Sequence, residues 1–156
     1  MTQLSLNVIN NKNINAGPTV MYRFGRDDDV DDRAVKRMKE IDGGFEAGAF
    51  VTWKIISDSD PRQRLNVSLD FLQDVTGDHD GYTITPSVRY FQPLGRAFTL
   101  SVGASTTYGS DGYMSTFFSV SPSDAAVTGL NTFNAGNGLR GARVCLNGLP
   151  VGFHRL

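Results

Sequence analysis

In Leu65-Asn66-Val67-Ser68-Leu69-Asp70-Phe71, apolar and polar side chains alternate without a break. A strand collects such a set on one side of its backbone, whereas a helix scatters it around the circumference. The neighbouring segments keep the same period. Upstream, Phe45, Ala47, Ala49, Val51, Trp53 and Ile55 share a face, opposite a mixed one of Glu46, Gly48, Phe50, Thr52 and Lys54. Downstream, Tyr82, Ile84, Pro86, Val88 and Tyr90 alternate with Thr83, Thr85, Ser87 and Arg89. Then Phe98, Leu100, Val102, Ala104, Thr106 and Tyr108 alternate with Thr99, Ser101, Gly103, Ser105 and Thr107. Two weaker segments come first, Leu4 to Ile9 and Gly17 to Gly25, the second alternating as Pro18, Val20, Tyr22, Phe24. The succession predicts an all-β chain folded as an antiparallel up-and-down meander.

Strand length and face chemistry point to the wall of a transmembrane β-barrel of outer-membrane type. The clear segments run about 10 to 13 residues, close to the roughly 9–11 that cross a bilayer at a tilt and longer than the usual soluble strand of about 5–6. Mid-strand polar positions are Ser, Thr, Gly and Asn, as suits a barrel interior, and Tyr82, Tyr90, Phe98 and Tyr108 lie at strand ends where an aromatic girdle would sit. The links Asn10–Ala16, Ser57–Gln63 and Gln92–Arg96 are short and fall on one side of a meander. Arg26–Gly43, Thr76–Asp80 and Gly109–Asn137 fall on the other, and two of them are long. Outer-membrane barrels sort their connections this way. A soluble β-barrel or sandwich, its apolar faces inward around a small apolar ligand, also alternates and stays open as an alternative.

Composition narrows the function classes. The chain has 156 residues, one ordinary domain, with 15 Lys and Arg against 16 Asp and Glu and a formal charge of -1. That balance lacks the electrostatic footprint of a nucleic-acid binder. No apolar run approaches the roughly 20 residues of a membrane-spanning helix. One cysteine, Cys145, permits neither an internal disulfide nor a cysteine-rich zinc site, and it reads as a small apolar residue. Residues Met1 to Asn10 lack the basic head and apolar core of a secretory signal.

Candidate chemistry is thin. Arg26-Asp27-Asp28-Asp29-Val30-Asp31-Asp32-Arg33 gathers oxygen ligands suited to calcium, but it lacks an EF-hand's glycine and distal Glu, and Arg26, Arg33, Lys36 and Arg37 offset its charge. A solvated loop is the expectation, followed over Asp32 to Ile41 by an amphipathic turn or two with Val35, Met38 and Ile41 on one face. Asp78, His79 and Asp80 are possible metal ligands or acid–base groups. Their adjacency in one Asp- and Gly-rich link, 74–81, favours turn chemistry instead. His154 has no carboxylate companions. There is no Gly-x-Ser-x-Gly elbow and no phosphate-cradling glycine motif. The expectation is a non-enzymatic protein without catalytic, metal or cofactor-binding residues.

Several runs resemble the MipA/OmpV family of Gram-negative outer-membrane proteins: Gly17-Pro18 through Tyr22-Arg23-Phe24-Gly25-Arg26, Gly44 to Phe50, Leu72 to Gly81, and Gly103-Ala104-Ser105. The most specific is Tyr113-Met114-Ser115-Thr116-Phe117-Phe118-Ser119-Val120-Ser121, continuing to Ala125-Ala126 and Gly129-Leu130. The resemblance covers about Gly17 to Leu139. It implies an outer-membrane barrel, bathed in outer-membrane lipid, that scaffolds a lytic transglycosylase and a bifunctional penicillin-binding protein and so couples murein hydrolysis to synthesis. Other members are described as porin-like or adhesive, acting through long outer loops. The family supplies no catalytic residues. Relative to its pattern the chain is expected to lack a signal peptide and further N-terminal strands. Residues 1–139 are expected to form a partial barrel domain. Residues 140–156 are expected to be a divergent tail that loses clean alternation, as in a truncated or frame-shifted product.

Overall fold

Pairing between the alternating segments turns separate periodicities into two continuous faces. The computed structural model describes residues 2–24, 43–77, 79–129 and 131–150. The strands are β1 (Thr2–Ser5), β2 (Ile9–Asn10), β3 (Ile14–Arg23), β4 (Gly44–Ile56), β5 (Arg64–Asp74), β6 (Tyr82–Leu94), β7 (Phe98–Gly109) and β8 (Gly138–Pro150). Two helices, α1 (Asp111–Phe118) and α2 (Pro122–Thr128), stand between β7 and β8. The sheet order is β1-β3-β4-β5-β6-β7-β8, all antiparallel, curled into half a barrel.

β1 and β2 lie end to end along β3. Thr2 pairs with Tyr22, but Ile9 pairs with Ala16, so one residue between them is left over as a bulge. The two weak N-terminal segments are therefore one bent arm and its hairpin partner.

The register decides which way the apolar sides point. One row across the sheet reads Ile55, Leu65, Tyr90, Val102, Leu146; the next reads Ile14, Trp53, Val67, Val88, Ala104, Val144. Every apolar set meets an apolar set, and among the described strand residues no charged side chain belongs to this face. It is the convex face, and it is open: Trp53 is 58% exposed, Leu69 46% and Val102 43%. Leu65 and Leu100 are half-buried by their neighbours on the same surface. None of these side chains is sealed in a core.

Aromatic rings mark both rims of that face. Tyr22 packs on Phe24 and Phe45 at centroid distances of 5.3 and 4.9 Å, and Phe71 on Tyr82 at 5.9 Å, on the long-loop side. Trp53, Tyr90 and Phe98 mark the short-turn side. Phe45 and Trp53 are separated by about 26 Å of strand at roughly 3.3 Å per residue, which at a barrel strand's tilt of about 40° covers most of the roughly 25 Å apolar band.

The concave face carries Ser, Thr, Asn and Arg, with few buried apolar side chains: Met21, Leu72 and Phe91. Hydroxyl pairs bridge it, Thr52 to Ser68 at 2.8 Å and Thr85 to Thr107 at 3.0 Å. The second bridge spans a gap in the β6–β7 ladder, which is unpaired at Thr85 and Pro86 because proline has no N–H to give. Strong curvature brings distant strands together. Ser5 and Asn15, from the first strands, line one hollow of about 480 Å³ with Arg143 and Cys145 of β8. Gly48 allows that bend, since a Cβ there would meet the carbonyl oxygen of Phe71 on β5 well inside contact distance.

Two expectations from sequence are corrected here. Residues after Leu139, expected to lose their alternation, form a full strand on β7 as far as Pro150. The lapse is a β-bulge: Tyr108 pairs with Leu139 and Thr107 with Gly141, so Arg140 is the extra residue. Beyond it Ala142, Val144 and Leu146 resume the convex set. Cys145 then falls on the polar concave face opposite Gly103, half-exposed, and not among apolar neighbours. The acidic run 26–33, the amphipathic turn expected over 32–41, Asp78 and His154 lie outside the described residues.

Candidate functional site

The long-loop end of the hollow holds the densest set of buried polar groups. β3 ends by presenting Arg23 inward, and β4 begins by presenting Glu46 on the adjoining strand. The guanidinium donates two hydrogen bonds to the carboxylate, Nε to Oε1 at 2.5 Å and Nη2 to Oε2 at 3.0 Å. Such forked pairs are stronger and more directional than single contacts. Glu46 is 1% exposed and Arg23 8%.

The 75–81 link brings in the third member. Asp74 organises this link: its Oδ1 accepts from the backbone N–H of Thr76 and Gly77, and its Oδ2 from those of His79 and Asp80, at 2.7–3.2 Å. Asp80 takes the left-handed backbone conformation, φ +46°, that closes the turn. His79 is thereby carried inward. Its Nε2 lies 3.2 Å from Glu46 Oε1, and its Nδ1 accepts the Gly81 N–H at 3.1 Å. An accepting Nδ1 carries no proton, so Nε2–H donates to Glu46.

Helix α1 closes the mouth over this trio. Ser110 stands between β7 and the helix, but its hydroxyl accepts the Tyr82 N–H at 2.9 Å instead of capping the first turn. Tyr113 and Phe117, four residues apart and so on one helical face, point inward. Tyr113 is 1% exposed. His79 meets both rings edge-on, at 5.2 and 5.5 Å. Arg23 lies over Tyr113 at 5.0 Å, and Arg140, put into the mouth by the β8 bulge, at 5.8 Å. Burial pushes the Tyr113 hydroxyl above its usual pKa, against the pull of the two guanidinium groups. The helix and the link interlock, since a Cβ on Gly112 would come 2.5 Å from the His79 carbonyl oxygen.

The carboxylate and the imidazole of this cluster are fully engaged. Glu46 accepts from two partners, both His79 nitrogens are committed, and the remaining space of about 260 Å³ is bounded by Arg23, Phe24, Tyr113, Phe117, Phe118 and Arg140. The arrangement holds a loop and a helix across the mouth of the hollow. Of the residues considered as ligands from sequence, His79 is in the cluster, while Asp80 is exposed and contributes its backbone to Asp74. Among the described residues no three His, Cys, Asp or Glu side chains converge as a metal site would require.

Sequence reading missed Arg23, Glu46, Tyr113, Phe117 and Arg140. Two signals were available. Arg23 and Glu46 are opposite charges at inward positions of strands whose other inward residues are mostly neutral. Tyr113 and Phe117 stand at helical spacing directly after Ser110-Asp111.

The opposite end is simpler. Arg62 pairs with Asp60 at 2.8 Å and donates to the Gly95 carbonyl at 3.0 Å, joining the 57–63 and 95–97 turns. Arg62 holds the Asp60 carboxyl below the usual carboxylate range. Gln63 donates to the Tyr90 hydroxyl at 2.7 Å.

A meander curled into half a barrel, apolar outside and hydroxyl-rich inside, with short turns at one end and a mouth partly covered by helix α1 at the other, is the wall of an up-and-down β-barrel. The MltA-interacting protein MipA family matches residues 1–148, a span that runs through most of β8. The chain belongs to that family. No curated protein and no solved structure matches it.

Proposed function

We propose that the chain is a non-enzymatic wall of a transmembrane β-barrel in the outer membrane of a Gram-negative cell, scaffolding murein-synthesising and murein-hydrolysing enzymes. The observation that carries the membrane part is the convex face: apolar, exposed, uncharged and bounded by aromatic rims. A soluble barrel would turn these side chains inward, because burial of apolar surface is worth about 25 cal/mol per Å². No described helix is long and apolar enough to cross a membrane; in this reading the strands cross.

The scaffolding part rests on the family's description as an MltA-interacting protein. The short-turn side is the contact surface we favour, since Arg62 ties Ser57–Gln63 to the Gln92–Arg96 turn as one unit. Partners there would be a lytic transglycosylase and a bifunctional penicillin-binding protein. A second reading, a porin-like protein, draws support from the polar hollow.

Cell fractionation followed by electrophoresis of unheated and boiled samples tests the membrane part. Recovery with outer membranes and heat-modifiable migration are expected; a soluble chain of fixed mobility would overturn it. Pull-down of murein enzymes with variants in Ser57–Gln63 tests the scaffold. Loss of capture is expected from these and not from variants in Gly109–Asn137, and the reverse pattern would reject the proposed surface.

A further inference from the structure

The concave face is unequal in charge. Below the mouth, Lys54, Arg64, Arg89 and Arg143 face inward with Asp70 as the sole acid among the described inward positions. At the mouth, Arg23 pairs with Glu46, and Arg140 is balanced by Asp74, opposite Glu46 on β5.

The cations are not equally free. Lys54 donates to Asn15 at 2.8 Å, and Arg64 lies over the Phe91 ring at 4.3 Å. Arg89 and Arg143 are exposed to the hollow, one on either side of β7. The Arg89 side chain crosses Gly103, where a Cβ would come 3.3 Å from its Nε. Gly103 pairs in turn with Cys145, two residues from Arg143. The small residue on β7 therefore lets Arg89 lean toward β8, and both guanidinium groups border the same hollow of about 480 Å³. Ser68, Ser87 and Ser105 surround them. Hydroxyl groups can solvate an ion of either sign, so the sign preference falls to the guanidinium groups, whose charge is retained at all accessible pH. Charged rings and stripes of this kind set ion selectivity in pores, and a cleft lined by one sign concentrates the opposite ion.

We infer that the concave face is the lining of an anion-preferring conduit, with Arg89 and Arg143 as its selectivity-determining pair and small inorganic or carboxylate anions as the solutes favoured. The inference rests on the membrane-barrel reading and adds the sign of what passes along the inside.

The test is the zero-current potential of the full chain in planar bilayers under a potassium chloride gradient, with heat-modifiable migration checked for each variant. The expected potential is on the chloride side. R89Q/R143Q should move it most of the way to zero, because Lys54 and Arg64, both engaged elsewhere, remain against Asp70. Asp70→Asn should move it further toward chloride, and Lys12→Gln, in a short turn away from the hollow, should leave it in place. A chain that inserts and conducts with potassium preference, or inserts and conducts nothing, overturns the inference while the barrel reading stands. A chain that neither inserts nor shows heat-modifiable migration overturns the barrel reading itself.

Discussion

The convex wall and the mouth of the half-barrel treat charge in opposite ways. Along the wall, the described residues of seven neighbouring strands keep every charge off one side while leaving large apolar side chains in the open. At the mouth, an arginine, a glutamate and a histidine are withdrawn from water and covered by aromatic rings. The first region is stable only if its surroundings are apolar. The second supplies its own partners, so its stability depends on completeness. A wall residue can be replaced by any similar apolar residue, whereas each member of the mouth cluster has a fixed counterpart.

That contrast is most easily broken at Glu46. Replacing it by alanine leaves Arg23 and His79 buried without their shared acceptor, and loss of one partner of a buried ion pair costs about 3–5 kcal/mol. Unfolding of the refolded protein in detergent by urea should show a loss of that size, with Glu46→Gln retaining part of it. An unchanged midpoint for Glu46→Ala would mean that the mouth is not closed by this cluster. On the wall, Val67→Arg puts a charge in the middle of the apolar face, and a lipid-facing Arg near the bilayer centre costs about 2–4 kcal/mol. The neighbouring Ser68→Arg, pointing into the hollow, should cost far less in the same lipid vesicles. Equal penalties for the two would remove the distinction between the faces. Tyr113→Phe sharpens the picture at the mouth, because it keeps the ring that covers His79 and lies under Arg23 and removes only a buried hydroxyl. Loss of one polar group of this kind is worth roughly 0.5–1.5 kcal/mol, so a small, measurable change in stability is expected.

The same contrast explains what could be read from sequence. The wall was legible because its information is local: Leu65, Val67, Leu69 and Phe71 declare their face within seven residues. The meander order and the sorting of short and long links followed from that period alone. The mouth was not legible because its members come from positions 23, 46, 79, 113 and 140, on three strands, a link and a helix that only the folded sheet brings together. His79 drew notice as a possible ligand beside Asp78 and Asp80, but its partner is Glu46, on β4 across the sheet. Asp74, which organises the link around His79, reads in sequence as one more acid of the Asp- and Gly-rich run 74–81. α1 was hidden for another reason: a two-turn helix between strands offers too few residues for its period to stand out.

The bulge at Arg140 joins the two regions, and it yields the smallest expected effect. In sequence it reads as the end of regular alternation; in the structure it is one residue inserted between two stretches of the same convex face. Deleting Arg140 would bring Gly141 directly after Leu139. Leu139, Ala142, Val144 and Leu146 would still alternate with Gly141, Arg143 and Cys145, now without interruption. A one-residue change normally turns every later side chain to the wrong face, yet here it removes an irregularity and leaves the wall in register. The loss is confined to the guanidinium over Tyr113, an interaction of about 0.5–1 kcal/mol where solvent reaches it. Heat-modifiable migration should be unchanged and the urea midpoint nearly so. Insertion of one alanine between Val144 and Cys145, which does exchange the faces beyond it, should abolish the folded form. If the deletion proves as damaging as the insertion, Arg140 is not a bulge residue and β8 is not paired as described.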